Sequence, residues 1–137
     1  MSLPEPIDVM LDSSDQPWIP YVEGAEIKVL CVYPQPGRWV ILIRARAGAA
    51  FTPHKHLGAG EYFMLKGAME YRAGTATTGD YGYEPNGAVH EHTTFPEDAE
   101  LLFIGHGPIQ ASETGDIMSA ESLYELALEH GGKPAVA

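Results

Sequence analysis

A chain of 137 residues, 45% apolar and 20% charged, is long enough for one domain with a real core and too short for two comfortable ones. Nineteen acids against eight bases give a net charge of −11, which repels phosphate backbones and anionic lipid and so excludes nucleic acid and membrane surfaces as expected partners. Cys31 is the only cysteine, which rules out an internal disulfide and a paired-thiolate zinc site. The opening residues lack the basic and apolar regions of a signal peptide, and the strongest apolar run, Val40-Ile41-Leu42-Ile43, is far short of a membrane span. A soluble, cytoplasmic protein is expected.

Residues 1–17 read as an acidic, proline-bearing arm, expected to pair with a sheet edge or a second subunit, and 18–137 as a single domain. Short segments of strand character follow the arm. Ile27 to Tyr33 alternates and ends at the turn Pro34-Gln35-Pro36-Gly37, and Arg38 to Arg46 is rich in β-branched and aromatic residues. Gly48 breaks that run, and Phe51 to His56 begins another. Tyr62–Leu65, Ala68–Arg72, Asp80–Glu84, Val89–Thr94 and Glu100–Ile104 continue the pattern, which predicts an all-β sandwich or barrel. One C-terminal helix is expected, capped by Ser119, with Glu121 in its first turn and Gly131 as its stop. Its apolar stripe of Leu123, Tyr124, Ala127 and Leu128 is read as packing against the barrel.

His54 and His56 stand two apart in strand-like sequence, so both imidazoles project from one face. That spacing lets two neutral nitrogens reach one divalent ion, whether iron, zinc, copper or nickel. Alone, the pair has a second reading, as two surface histidines beside Lys55. It has company further along the chain. Gly48, five residues, His54-x-His56, four residues and Glu61 form one block. Gly79, five residues, Pro85-x-Gly87, two residues and His90 form a second.

Together these blocks resemble the two motifs of the cupin superfamily. The resemblance implies a double-stranded β-helix, or jelly-roll barrel, with a metal held by His54, His56 and His90. The superfamily's usual glutamate would be Glu61, but only five residues separate it from Gly67 where six are usual. A one-residue slip turns a strand residue to the opposite face. Gly60 then takes the inward position, and a three-histidine centre is expected.

The stretches from Gly60 to Arg72 and from Tyr81 to Pro96 resemble, within cupins, the group of β-diketone-cleaving dioxygenases, dihydroxyacetophenone dioxygenases and anti-sigma-factor cupins. That resemblance implies Fe(II), with zinc, nickel, manganese or copper as alternatives, and a homodimer or homotetramer. It implies dioxygen and a small β-diketone or hydroxyketone as reaction partners, with carbon–carbon cleavage as the outcome. Tyr62, Arg72, Glu84 and Thr93 match catalytic and outer-shell positions, while Phe51, Phe103, Gly105 and His106 match the pocket. Glu84 would accept from a ligand imidazole, and Arg72 and Tyr62 would donate to a bound oxygen. Core packing is the alternative for Phe51 and Tyr62, and a water-facing strand position for Arg72. Gly105 stands where the group carries a bulky aromatic, so a larger or wetter pocket is expected there. His92 and His106 are expected as pocket or surface groups. A zinc-binding sensor and an oxygen-independent ligand-binding or isomerase barrel remain the rival functions.

Overall fold

The computed structural model describes residues 7–137. A single 3₁₀ turn at Ser13–Asp15 precedes β1 (Ile19–Val22), β2 (Ala25–Tyr33) and β3 (Arg38–Ala45). Then come β4 (Ala50–Phe51), β5 (His54–His56), β6 (Gly60–Lys66), β7 (Ala68–Tyr71), β8 (Gly74–Thr77) and β9 (Tyr81–Glu84). β10 (Val89–His90), β11 (Thr93–Thr94), β12 (Ala99–Gly105), β13 (Ile109–Ala111) and β14 (Ile117–Met118) complete the barrel. Helix α1 (Ala120–Glu129) and a last strand, β15 (Ala135–Val136), close the chain.

The large sheet runs β1-β2-β3-β12-β6-β9, with β15 added parallel to β2. Two four-stranded sheets, β10-β5-β13-β14 and β4-β11-β7-β8, complete the jelly roll. Period-two alternation decides which side of each strand is buried. On β3, Trp39, Ile41, Ile43 and Ala45 are buried while Arg38, Val40, Leu42 and Arg44 are only half-buried. Inward residues of the large sheet join Met69, Ala76, Phe95 and Ile109 in one continuous core.

Two expected strands are each split. Thr52-Pro53 separates β4 from β5, because proline cannot donate to a ladder. Glu91-His92 separates β10 from β11, and the two pieces pair with different sheets. β1, β8, β13, β14 and β15 are additions to the strands read from sequence; most are short, and their polarity does not announce them.

The helix begins at the expected cap. Ser119 Oγ accepts from Ser122 N at 3.1 Å, and Ser122 Oγ accepts from Ser119 N at 2.8 Å, a reciprocal box that satisfies two end donors. Gly131 follows with φ +78°, a left-handed residue suited to helix termination. Leu123 and Ala127 are buried, and the helix rests on β2 and β14. Leu128, expected on that stripe, is 49% exposed, since it lies one position beyond the seam that Ala127 fills.

Residues 1–6 of the expected arm lie outside the described part. The end of the arm is tied down by polar contacts: Lys28 Nζ donates to Ser13 O at 2.9 Å. Gln16 exchanges hydrogen bonds with Lys133 N and O at 2.8 and 2.9 Å. Among the described residues no helix is long and apolar enough to cross a membrane.

Candidate metal centre

His54 and His56 sit at the two ends of β5, on the same face as expected, and β10 runs antiparallel to it with His90 directly opposite His54. One nitrogen from each imidazole lies within 4.8 Å of the others. The ring centroids are 4.9–5.3 Å apart. His56 and His90 are buried, and His54 is half-buried.

Each ring has a distinct tether. His54 Nδ1 donates to Thr52 O at 2.8 Å, which fixes the tautomer and leaves Nε2 as a lone-pair donor. The buried carboxylate of Glu84, on β9, lies 2.6 Å from His56 Nε2 and 3.3 Å from His90 Nδ1. His56 Nδ1 is fully buried with no hydrogen-bond partner among the described residues. Orphaning a buried nitrogen costs about 1–3 kcal/mol, and a cation offers such a group the partner it lacks.

Burial holds His90 down to about 4, opposed in part by Glu84, with the neighbouring histidines adding to the depression. Burial likewise lowers His54. Desolvation thus keeps these two rings neutral, the form in which imidazole ligates. Three convergent imidazoles, a carboxylate in contact with two of them and a buried ring nitrogen unpaired among the described residues fit a divalent cation.

The histidines open on a cavity of about 40 Å³ whose walls include Phe51, Ile43, Met69, Leu101 and Phe103. A bound water needs roughly 10–15 Å³, so the chamber holds a small ligand's donor end and little more. Tyr21, His54, Ile109 and Met118 also line an open groove of about 350 Å³, which makes this the approach from solvent.

Residues 7–110 match the family described as the ChrR cupin-like domain, a span that includes every residue of this centre. The chain belongs to the ChrR cupin-like family. An acetylacetone-cleaving enzyme of Acinetobacter johnsonii is 35% identical over 107 residues, covering 70% of each chain. The structure of an acetylacetone dioxygenase from the same organism matches with a TM-score of 0.80 at 26% identity, over 94% of this chain and 95% of that one. A candidate acetylacetone dioxygenase from Methylibium petroleiphilum matches at 0.83 and 29% identity, over 91% and 97%. The matched span takes in strands β1 to β12 and all three histidines, and ends before the helix.

Within this ChrR-like barrel the other expected site residues divide. Glu84, Thr93, Phe51 and Phe103 line the chamber. Thr93 is buried, and its Oγ1 has no partner among the described residues. Phe51 packs edge-on against Tyr21 and Phe95, with centroids 5.6 and 5.0 Å away.

Tyr62 is buried but outside the chamber. Its ring lies over Gly82, its hydroxyl shares a 2.9 Å hydrogen bond with Tyr71, and Tyr71 stacks edge-on with His90 at 5.4 Å. Burial raises the Tyr62 phenol, with the Tyr71 bond adding to the shift. Arg72 is exposed, just past the end of β7, beside His92 in an outer groove of about 430 Å³. Neither reaches the chamber as expected; both approach it only through the Tyr71–His90 wall.

Glu61 points outward, as the register argument predicts: Gly60 pairs with Gly105 on the inside, and Glu61 with Ile104. Its carboxylate accepts from Tyr81 Oη and from His106 Nε2, the latter at 2.6 Å. The Tyr81 bond first, then His106, hold the Glu61 carboxyl below the usual carboxylate range. His106 therefore belongs to this outer cluster and not to the pocket.

Gly105 is a correction too. A Cβ there would fall 2.1 Å from Trp39 Cε2, because the Trp39 indole covers the glycine from β3. The missing aromatic leaves no larger or wetter pocket. Trp39, Tyr21 and Met118 are chamber residues that sequence reasoning missed, since only strand pairing brings them there.

Proposed function

We propose that this protein is a mononuclear non-haem Fe(II) dioxygenase that cleaves a carbon–carbon bond of a small 1,3-dicarbonyl or hydroxyketone. The observation that carries the reading is the cluster of three imidazoles with the Glu84 carboxylate against two of them, opening on a largely apolar chamber. Its sequence relationship to an acetylacetone-cleaving enzyme adds support. The overall reaction balances without another redox partner: one dicarbonyl and one dioxygen yield one carboxylic acid and one oxoaldehyde.

His54, His56 and His90 are the residues assigned to hold the ion. When bound, Fe(II) supplies Lewis acidity toward an enolate and redox access to dioxygen. Three neutral ligands leave its charge undiminished. Glu84 orients His56 and His90, and the Thr52 carbonyl orients His54. Phe51, Leu101 and Phe103 exclude water, which strengthens electrostatic contacts inside. The unpartnered hydroxyl of Thr93 is the neutral donor available to a substrate oxygen.

Oxygen uptake by anaerobically Fe(II)-loaded protein, offered a panel of β-diketones and hydroxyacetophenones, tests the reading. Iron-dependent uptake with acid products is expected, and none from a zinc-loaded control. Zinc retained tightly, with no uptake by the iron form on any compound, would move the assignment to a sensor or binding barrel.

A further inference from the structure

Gly60 and Gly105 form a cross-strand pair between β6 and β12, and Gly105 is also opposite Trp39 on β3. Neither position has room for a side chain. A Cβ on Gly60 would lie 2.6 Å from Phe103 Cζ, and one on Gly105 would lie 2.1 Å and 2.3 Å from Trp39 Cε2 and Cζ2. Two aromatic rings occupy the space the glycines leave, and they are ordered relative to the metal centre. His56 stacks on Phe103 at 6.2 Å and 29°, and Phe103 stacks on Trp39 at 5.5 Å and 21°.

The outermost ring is the most firmly held. Trp39 has no exposed surface, and its Nε1 donates to Gly107 O at 3.0 Å. Gly107 is itself pressed against Gly58, where a Cβ would lie 2.4 Å from Gly107 Cα. The indole is thus clamped between a stacked ring and a close backbone crossing, and it lines the chamber. A wall fixed by hydrogen bond, stacking and backbone contact cannot withdraw to admit a larger group without breaking several contacts at once.

We propose that Trp39 is the specificity-determining residue of the chamber, limiting it to compact, alkyl-substituted ligands and refusing aryl-substituted ones. As an assignment of substrate class this rests on the dioxygenase reading. As an assignment of chamber size it does not. A pocket wall that gains or loses the volume of a methylene or two typically changes discrimination by about 10–200-fold.

The test uses zinc-loaded protein under nitrogen, so that no turnover intervenes, with imidazole and 4-phenylimidazole as metal-directed probes. Trp39→Phe keeps an aromatic over Gly105 while shortening the ring. We expect it to shift relative affinity toward 4-phenylimidazole by about tenfold or more. Equal changes for both probes would overturn the proposal and leave Trp39 as ordinary core. Trp18→Phe, with Trp39 intact, guards against misfolding of the first variant by making Trp39 the sole indole reporter. Imidazole binding is expected to change its emission, and an unchanged emission at saturation would count against a chamber wall. Acetylacetone and its phenyl analogue, assayed by oxygen uptake in wild type and Trp39→Phe, form a separate arm. A probe shift with no diketone uptake would refute the substrate class while the size gate stands.

Discussion

Gly105→Ala tests whether the Trp39–Gly105 fit is as close as the geometry requires. The new methyl would sit 2.1, 2.3 and 2.7 Å from three indole atoms, where carbon–carbon contact needs about 3.5–4.0 Å. The ring must therefore move by more than an ångström, and its Nε1 bond to Gly107 O and its stack on Phe103 oppose that. Overpacking costs about 1–3 kcal/mol, an orphaned buried donor about 1–3, and replacing a strand glycine with alanine returns about 0.5–1. The expected net loss is about 3 kcal/mol, a large share of the stability of a domain this size. Urea denaturation measures it, with the midpoint falling by roughly 1–3 M at an unchanged slope. Trp39→Phe/Gly105→Ala should recover part of the loss, since the smaller ring can yield. A Gly105→Ala midpoint within a few tenths molar of wild type would refute the claim that the indole is clamped.

Glu84→Gln should leave the fold intact but weaken divalent metal binding about 10–100-fold, read by competition with a chromophoric chelator. Glu61→Gln should leave metal content unchanged, because that side chain is outside the barrel with Tyr81 and His106; loss of the metal would overturn the register assignment. In metal-free protein, His90 held down to about 4 and His54 lowered mean that the unfolded chain binds more protons between about 4 and 6.5. Stability from these groups is complete above the unfolded value near 6.5 and drains as pH falls toward 4, so the thermal midpoint of chelator-treated protein should drop through that window. A flat profile there would argue that the rings are not buried as neutral species.

Much of this protein is legible in its residues because the relevant forces are local. Short runs punctuated by Gly and Pro specify strands, a serine before an apolar stripe specifies the helix start, and parity places His54 beside His56. The same parity turned Glu61 outward on the strength of a single missing residue before Gly67. Parity alone cannot name a strand's neighbours. In Val40-Ile41-Leu42-Ile43 every residue is apolar, so only the sheet reveals that Ile41 and Ile43 point inward. Glu84 behind His56, Tyr62 turned to Tyr71, His106 drawn to Glu61 and Trp39 over Gly105 all depend on pairings between strands remote in sequence. Composition and period set which residues can be buried; the register of β3, β6, β9 and β12 decides which buried residues touch, and so what shape the chamber has.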